Sequence, residues 1–537
     1  MTTVAQQLIK SLQAIGVKYV FGIPGGPSIP YMEAMRNNGI EFVLTSNEQS
    51  AGMMADVCGR LTGVPGVCHA TFGPGATNLA TGIGGALLDR SPLLAFTTEV
   101  KDADVGRRVQ MNIDHQALYQ PITKWTTRLS KDNFKETMTK AFRVATAEMP
   151  GPVHIGLPSN IDGDILDSGS MVDTIAKGSI PLPDASLLEE AAKMIRQAKK
   201  PILAIGLTAA RLGLHPAIRE FVNKNNIPVL LTLMAKGIIS DSHPCYAGVI
   251  FHAQSDLVSP VYRQADLVIG IGYDSIEFNY ESWMPNVPLL HIDTEPADIT
   301  AEYKDVCAVT GDLAAALAYL NSLTLPAYSW DLEEIKQNKA KLFQALNPRT
   351  DGFNPSELIA ALQQVLPKDG IITGDVGAHL HLLGQLWKMD EPNRFIMTNG
   401  WSTMGFGIPS AIGAKLCRPQ SQVVCVTGDG GFLMNCGELM TARRLGINVV
   451  VVVLCDRNLS LIEVKQNWKA VVPYGTDLYK GEYFGADQFL GVPIFKANDP
   501  GEMKAALQKA FSTQGPAIVE AYVDGAVYQN MITRSYK

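Results

Sequence analysis

The sequence has no basic excess and no long apolar run. Its 45 Lys and Arg residues are outnumbered by 52 Asp and Glu residues, which gives a formal net charge of -7. Nucleic-acid-binding domains usually present a basic face, so this balance argues against a nucleic-acid partner. A membrane-spanning helix needs about 20 largely apolar residues, whereas the longest candidate run, 449–455, has only the length of a strand. We therefore expect no membrane span.

The sequence also lacks a secretory signal and any closely spaced cysteine pair. The N-terminus has no basic region followed by an apolar core, and the eight cysteines form no Cys-x-x-Cys motif. Most of these cysteines lie in apolar stretches, where thiols are usually buried and reduced. We expect a cytoplasmic protein with structural thiols at positions 58, 68, 245, 307, 417, 425, 436 and 455.

The length and the pattern of apolar segments predict the domain organisation. At roughly 150 residues per domain, 537 residues suggest three or four domains. Short apolar strands alternate with helical stretches, which is typical of parallel sheets covered by helices. The predicted fold class is α/β, with three doubly wound parallel-sheet domains in series. We place these domains at 1–165, 187–322 and 355–537, joined by linkers near 164–186 and 324–354.

Apolar runs predict the strands of each domain. The expected strands are 17–23, 42–45, 66–71 and 93–97 in the first domain, 201–205, 229–232, 267–271 and 289–292 in the second, and 370–373, 423–427, 449–454 and 517–521 in the third. The second domain also contains a lone Gly-x-Gly at Gly270 and Gly272. Such a short motif is a weak dinucleotide signal, and tight turns explain it as well.

The third domain contains a pattern typical of a magnesium and diphosphate site. Asp429 lies among Gly428, Gly430 and Gly431 where a predicted strand meets a helix predicted to continue to Leu445. Glycines and a helix N-terminus favour anion binding by backbone N–H groups. Asp456 ends the next strand, and the carboxyl ends of parallel strands form the ligand edge of such sheets. Two carboxylates and a backbone carbonyl suit Mg²⁺; a turn residue and a helix cap are the alternative interpretation.

Together with other segments, this pattern resembles the thiamine diphosphate (ThDP) enzymes. The resemblance rests on Gly428-Asp429-Gly430 with Asp456-Arg457-Asn458, and on segments 21–26, 43–52, 73–78, 375–379 and 401–409. It implies that Asp429, Asp456 and the carbonyl of Asn458 bind the metal. It also implies that Glu48 activates the cofactor by hydrogen-bonding its aminopyrimidine ring, and that Met404 supports its bent conformation. The implied cofactor-binding residues are Pro24, Gly25, Ala378, His379, Ser402, Met404, Gly428, Asp429, Gly430, Gly431, Asn458, Leu459 and Ser460.

Ordinary structural roles compete with several of these assignments. A glutamate that opens a helix, such as Glu48, commonly serves only the helix dipole. Met404 could be core filler, and His379 a surface histidine. The order and spacing of the segments favour the functional interpretation.

Within that family, the chain is most similar to acetolactate (acetohydroxyacid) synthases, including the catabolic, FAD-independent type. The resemblance implies that a 2-oxo acid loses CO₂ and that the remaining acyl-anion equivalent attacks a second carbonyl compound. Ile23, Gln110 and Met111 are the expected substrate-pocket residues, although they differ from the residues usual in the family. Mg²⁺ and ThDP are the expected cofactors. FAD is not favoured, because the segment 248–253 matches the flavin-binding pattern poorly.

Four other functions stay open at this point. They are a simple 2-oxo acid decarboxylase, a sulfoacetaldehyde acetyltransferase-like enzyme, a flavin-dependent pyruvate oxidase and an inactive regulatory relative. None of the nine histidines is adjacent to another, which favours carboligation over simple decarboxylation. The family resemblance also implies a homodimer or homotetramer with active sites between subunits. Residues 466–489, rich in Tyr, Gly, Lys and Asp, are predicted to be a lid.

Overall fold

A computed structural model describes residues 2–167, 178–303 and 305–532. The first domain contains a parallel sheet in which the strands follow the order β3-β2-β4-β5-β7-β6, and β1 pairs antiparallel with β8 beside it. The strands are β1 (Thr2–Thr3), β2 (Tyr19–Ile23), β3 (Glu41–Leu44), β4 (Gly66–Ala70), β5 (Leu93–Glu99), β6 (Trp125–Arg128), β7 (Pro152–Pro158) and β8 (Ile165–Leu166). The helices are α1 (Val4–Ala14), α2 (Ile29–Asn37), α3 (Glu48–Thr62), α4 (Pro74–Leu88), α5 (His115–Tyr119) and α6 (Phe134–Thr146).

Local signals explain where the helices of this domain begin and end. Thr3 caps α1 and forms a capping box with Gln6. The side chain of Asn47 accepts a hydrogen bond from the Gln49 N–H and so begins α3, which places Glu48 at the first position of that helix. Gly63, in the left-handed conformation with φ 69°, ends α3.

The middle domain contains a second parallel sheet with the order β11-β10-β9-β12-β13-β14. Its strands are β9 (Pro201–Ile205), β10 (Val229–Leu231), β11 (Tyr246–Val249), β12 (Leu267–Ile271), β13 (Leu289–Asp293) and β14 (Val306–Thr310). Its helices are α7 (Ala185–Gln197), α8 (Leu207–Arg211), α9 (His215–Asn225), α10 (Ser259–Tyr262) and α11 (Leu313–Ser322), and α12 (Leu332–Ala345) follows in the predicted second linker. The predicted first linker includes 168–177, which lie outside the described residues.

The third domain contains a sheet with the order β16-β15-β17-β18-β21-β20-β19, in which the β19–β20 pair is antiparallel and the other pairs are parallel. The strands are β15 (Ile371–Gly374), β16 (Phe395–Ile396), β17 (Val423–Gly428), β18 (Val450–Cys455), β19 (Gln488–Phe489), β20 (Val492–Ala497) and β21 (Ala517–Tyr522). The helices are α13 (Pro355–Val365), α14 (Ala378–Leu386), α15 (Gly407–Cys417), α16 (Asp429–Asn435), α17 (Glu438–Arg444), α18 (Ser460–Trp468), α19 (Pro500–Ser512) and α20 (Tyr528–Met531).

The cores follow the two-residue period of the buried strands. In β18, Val451 and Val453 pack into a core shared with the first domain, whereas Val450, Val452 and Leu454 pack into a core shared with the middle domain. A strand buried on both faces reads as a continuous apolar run, as 449–455 does. The prediction of an α/β fold with parallel sheets in series is therefore confirmed. Among the helices of the described residues, none is long and apolar enough to cross a membrane.

Several elements differ from the sequence-based expectation. The strands that were not predicted are β1, β6, β7, β8, β11, β14, β16, β19 and β20. The single helix expected to run to Leu445 was also wrong, because Cys436 and Gly437 separate α16 from α17. This break directs the side chain of Glu438, the first residue of α17, towards the first domain.

Candidate functional site

The two predicted carboxylates lie at the carboxyl edge of the third sheet. Strands β17 and β18 are neighbours in parallel register, with Gly428 opposite Leu454. Asp429 is the first residue of α16, directly after β17, and Asp456 directly follows β18. This edge is where open parallel sheets bind ligands.

Backbone and hydroxyl groups hold both carboxylates in place. Asp429 accepts hydrogen bonds from the N–H groups of Gly430 (2.9 Å) and Arg457 (2.8 Å). Asp456 accepts one from the hydroxyl of Ser460 at 2.6 Å and one from the N–H of Asn458 at 3.2 Å. Burial raises the pKa of Asp429. Burial, followed by repulsion from Asp429, raises the pKa of Asp456 to about 7. A divalent cation beside this pair would favour both ionised forms.

Two polar atoms at the same edge are buried without a hydrogen-bond partner. They are Nε2 of His379 and Oδ1 of Asn458. Buried polar atoms normally have partners, so orphaned atoms at a cavity point to a bound group. Burial also lowers the pKa of His379 to about 4, which keeps this imidazole neutral near pH 7.

A cavity of about 290 Å³ opens between these groups. Gly430 is needed in its wall, because a Cβ there would come within 2.9 Å of Leu459 Cδ2 and 3.4 Å of Met404 Cε. The residues predicted from the sequence that line this cavity are Ala378, His379, Ser402, Met404, Gly428, Asp429, Gly430, Gly431, Asp456, Asn458, Leu459 and Ser460. The fold thus brings the predicted site residues of the third domain together around one cavity.

Asp375 supports this cavity, and no role was predicted for it from the sequence. Its carboxylate accepts hydrogen bonds from the N–H groups of Gly405 (2.8 Å) and Gly407 (3.1 Å) and from the hydroxyl of Thr427 (3.2 Å). It therefore fixes the turn that follows Met404 against β15 and β17. Burial raises its pKa to about 6. The available signal was the position of Asp375 directly after a predicted strand.

The segment 466–489, predicted to be a lid, contacts Asp429 through two tyrosines. The Tyr479 hydroxyl donates to a carboxylate oxygen of Asp429 at 3.3 Å, and the Tyr483 hydroxyl donates to the Asp429 carbonyl at 2.8 Å. The N–H of Leu459 donates to the carbonyl of Thr476 at 2.9 Å. The segment is therefore folded onto Asp429, while Tyr474 within it is 88% exposed.

The first domain holds a separate group of predicted residues. Glu48 is buried, with one carboxylate oxygen accepting a hydrogen bond from Asn78 Nδ2 at 3.1 Å. The other oxygen lies 3.2 Å from where a Cβ on Gly75 would be. Thr71 packs beside the same glycine and against Gly25. Glu48 therefore lies at the carboxyl edge of the first sheet.

The predicted substrate residues surround this first-domain edge. Ile23 ends β2 and, like Pro24 and Gly25, is partly buried, whereas Gln110 and Met111 are exposed in the single chain. Met111 contacts Gly73, whose missing Cβ would lie 2.8 Å from the Met111 carbonyl oxygen. The residues that line the 290 Å³ cavity all belong to the third domain. One chain therefore does not bring Glu48, Pro24, Gly25 and the expected substrate residues to that cavity.

The middle domain has its own strand edge, which carries a buried glutamate. Glu277 accepts a hydrogen bond from the N–H of Leu207, the first residue of α8, at 2.7 Å. Burial raises the pKa of Glu277 to about 8. Beside it, Asp274 forms a 2.6 Å ion pair with Arg90 of the first domain. The Glu277 carboxyl group therefore binds to the N-terminus of α8, the kind of position at which such folds bind phosphates.

Family models match each of the domains. The model described as "Thiamine pyrophosphate enzyme, N-terminal TPP binding domain" matches residues 2–118. The models for the central domain and the C-terminal TPP binding domain of the same enzymes match residues 188–320 and 375–521. Thiamine pyrophosphate is another name for thiamine diphosphate.

Similar proteins cover nearly the whole chain. A probable acetolactate synthase large subunit of Methanococcus aeolicus is 32% identical over 98% of this chain and 93% of its own length. The acetolactate synthase isozyme 2 large subunit of Escherichia coli K12 is 32% identical over 97% of this chain and 95% of its own. The acetolactate synthase of Bacillus subtilis is 31% identical over 97% and 93%. The chain therefore belongs to the thiamine pyrophosphate enzymes of the acetolactate synthase-like family.

Proposed function

We propose that this protein decarboxylates a 2-oxo acid with ThDP and Mg²⁺ and joins the resulting acyl-anion equivalent to a second carbonyl compound. The observation that carries the proposal is the third-domain cavity. It combines Asp429 and Asp456 with the unpartnered atoms of His379 and Asn458 at one sheet edge. When bound, ThDP supplies the carbon nucleophile and the electron sink for decarboxylation.

The donors of the cavity fit a magnesium diphosphate. Asp429 and Asp456 would hold Mg²⁺ with the Asn458 carbonyl, since oxygen ligands and phosphates complete its octahedron. Gly428, Gly430 and Gly431 would let backbone N–H groups approach the diphosphate. Ala378, His379, Leu459 and Ser460 also line this cavity. Ser402 and Met404 would contact the cofactor rings.

Glu48 is the proposed proton-handling residue. It lies at the N-terminus of α3, is buried beside Gly75 and accepts a hydrogen bond from Asn78. A buried carboxyl at the end of a rigid helix is suited to hold one proton at a fixed position. In this role Glu48 would hydrogen-bond the aminopyrimidine of the cofactor.

The histidines support carboligation over simple decarboxylation. Release of a free aldehyde requires that a proton be delivered to the acyl-anion equivalent. Burial lowers the pKa of His379, which lines the cavity, to about 4, and none of the histidines is adjacent to another in the sequence. Because the His379 imidazole is largely uncharged near pH 7, it is a poor acid for that step.

A panel of 2-oxo acids and aldehydes tests this function. Each compound would be incubated with the protein, ThDP and Mg²⁺ while CO₂ and coupled products are measured together. With pyruvate we expect CO₂ and acetolactate in equal amounts. Release of CO₂ with free aldehyde alone would instead identify a decarboxylase. Acetyl phosphate formed from sulfoacetaldehyde and phosphate would favour the sulfoacetaldehyde acetyltransferase-like alternative.

We further propose a homodimer or homotetramer in which Glu48 of one subunit serves the cavity of another. The proposal is supported by the lining of the cavity, to which the described first-domain residues contribute nothing. In such an assembly, Ile23, Pro24, Gly25, Gln110 and Met111 would face the substrate across the interface. The exposure of Gln110 and Met111 in the single chain fits this arrangement.

Mixing two inactive variants tests the shared site. Glu48→Gln should abolish proton exchange at the reactive cofactor carbon and leave cofactor binding largely intact, whereas Asp429→Asn should lose cofactor binding. A mixed dimer of the two has one intact site only if sites form between subunits. Activity should therefore return on mixing. No recovery in a mixed dimer verified by mass, with exposed Glu41→Gln as the active control, would place each site within one chain.

We propose that the middle domain takes no FAD. The Glu277 carboxyl group takes the Leu207 N–H at the start of α8, and the Tyr280 hydroxyl packs against Gly270, where it would lie 1.9 Å from an added Cβ. Glu277 thus occupies the sheet edge where a dinucleotide would bind, and Tyr280 fills the space beside β12. Purified protein should show no flavin absorbance, and flavin released by denaturation would contradict the proposal and revive the pyruvate oxidase alternative.

We also propose domain bounds at 1–165, 187–322 and 355–537. Their support is that each of the three larger sheets begins and ends within one of these ranges, while the small β1–β8 sheet extends one residue past the first bound, to Leu166. The middle domain would then be mainly structural.

A further inference from the structure

Two cysteines from different domains lie in contact. Cys58 is on α3 of the first domain, and Cys417 is the last residue of α15 in the third domain. Their Sγ atoms are 2.9 Å apart, although 359 positions separate them in the chain. The two thiols are free. A disulfide bond measures about 2.05 Å between sulfurs, so a shift of about 1 Å would bring the two within bonding distance.

The helices that carry these cysteines are held closely together. Gly413 on α15 packs directly on α3, since a Cβ on Gly413 would lie 2.9 Å from the Met54 carbonyl oxygen. After Cys417, the guanidinium of Arg418 donates a hydrogen bond to the Leu61 carbonyl at 2.6 Å. The thiols are therefore kept facing each other by contacts on both sides.

The two thiols have different surroundings. Cys58 is buried, whereas Cys417 is partly exposed. A hydrogen bond that the Cys58 thiol donates to the Cys417 thiolate, together with the positive charges of Arg418 and Lys18, lowers the pKa of Cys417, while the same hydrogen bond and burial raise the pKa of Cys58. An accessible thiol near positive charge reacts first with oxidants, because the thiolate is the nucleophile.

We propose that Cys58 and Cys417 form a reversible disulfide that a hydroperoxide installs between the first and third domains. Cys417 sulfur attacks the peroxide, which breaks its O–O bond, gives a sulfenic acid on Cys417 and releases water or an alcohol. Cys58 sulfur then attacks the Cys417 sulfur and displaces its hydroxyl group as water, so that each thiol proton leaves on one of the released oxygens. Overall, two thiols are oxidised to one disulfide and one hydroperoxide is reduced. A dithiol reductant reverses the reaction by exchange.

The disulfide would link two elements that carry parts of the proposed site. Helix α3 begins with Glu48, and α15 follows the turn that Asp375 fixes after Met404. A cross-link that closes so long a loop restricts the unfolded chain strongly. Oxidation should therefore hold the two domains of one chain together under conditions that unfold the reduced protein.

The other partly exposed cysteine provides a matched control. Cys436 is exposed to a similar degree, and its sulfur contacts the carbonyl of Leu433 rather than another thiol. Cys436→Ser removes a reactive thiol without removing the pair. Cys58→Ser and Cys417→Ser each remove one half of the pair.

The test is peptide mapping of the full-length protein. The protein, with ThDP and Mg²⁺ present, is treated with a small excess of hydrogen peroxide, alkylated under denaturing conditions and digested without reductant. We expect a cross-linked peptide pair containing Cys58 and Cys417 in wild type and in Cys436→Ser, lost after dithiothreitol. We also expect the thermal unfolding midpoint of the oxidised protein to rise by several degrees, reversibly. Neither change should occur in Cys58→Ser or Cys417→Ser.

Other results overturn the proposal. Alkylation of both Cys58 and Cys417 after peroxide treatment would show that the two thiols do not form a disulfide. Sulfinic acid at Cys417 beside an alkylated Cys58 would show that the pair does not resolve the sulfenic acid. A rise of the midpoint that persists in Cys417→Ser would assign the stabilisation to another site.

Discussion

The third and middle domains share a parallel sheet but use its carboxyl edge differently. In the third domain, glycines around Asp429 leave a cavity, and the His379 Nε2 and Asn458 Oδ1 atoms in it have no partner. In the middle domain, Glu277 takes the N-terminus of α8, and Asp274 pairs with Arg90 of the first domain. The same edge can therefore be kept open for an anionic ligand or occupied by a carboxyl group of the chain.

The largest expected effect is on ThDP retention and comes from removing a carboxylate at the carboxyl edge of the third sheet. Asp429→Asn should reduce Mg²⁺-dependent ThDP retention about 100-fold or more, because it removes a metal ligand and a buried charge. Asp456→Ala should reduce it to a lesser degree, about tenfold. Cofactor retained after dialysis against a chelator measures both effects. Exposed Asp132→Asn is the control, and unchanged retention in Asp429→Asn would argue against the metal site.

A smaller effect is expected from the residue that shapes the open edge. Asp375→Asn replaces an acceptor of hydrogen bonds from Gly405, Gly407 and Thr427 with an amide whose NH₂ group faces donors. We expect ThDP affinity to fall about tenfold and the free energy of unfolding to fall by about 1–3 kcal/mol, the usual cost of unsatisfied buried groups. Cofactor titration and denaturant unfolding measure the two losses. If Asp375→Asn and the exposed control Asp369→Asn have equal ThDP affinity and equal free energy of unfolding, Asp375 does not support the cavity.

The smallest effect on activity is expected from changing Glu277, which occupies the carboxyl edge of the middle sheet. Burial raises the pKa of Glu277 from 4.5 to about 8, so the folded state holds a proton that the unfolded state releases in this range. The free energy of unfolding should therefore fall as pH rises from about 4.5 to 8, by roughly 2–5 kcal/mol from this group. Glu277→Gln should flatten that dependence and leave carboligation unchanged.

Denaturant midpoints of the wild type, Glu277→Gln and exposed Glu302→Gln at about pH 5.5 and pH 8 measure the effect. The same pH dependence in wild type and Glu277→Gln would show that this carboxyl group does not titrate in that range. A loss of carboligation in Glu277→Gln would show that the filled edge has a functional role after all.

The sequence was sufficient to predict the features that depend on neighbouring strands. Asp429 and Asp456 follow successive strands, so their meeting at one edge needed only the parallel order, which the β17–β18 register confirms. Asp375 could have been assigned by the same reasoning. The predicted roles of the individual site residues stay predictions.

Features that depend on distant contacts could not be predicted. Strand β7 begins and ends with proline and contains Gly156, so its sequence resembles a turn, yet it is buried between β5 and β6. The break between α16 and α17 accompanies contacts of Glu438 with residues almost 400 positions away. The Cys58–Cys417 contact also depends on residues that are distant in the sequence, because the packing of α3 on α15 brings the two cysteines together.

The contact of Glu438 with the first domain has a consequence for how subunits come together. One Glu438 oxygen accepts hydrogen bonds from the N–H groups of Ser46 (2.9 Å) and Asn47 (3.1 Å), the two residues before Glu48. Each chain thus positions its own Glu48 with its own third domain before it meets a partner. In the proposed dimer, assembly would join two finished half-sites, so that encounter of the subunits rather than refolding would limit the appearance of activity.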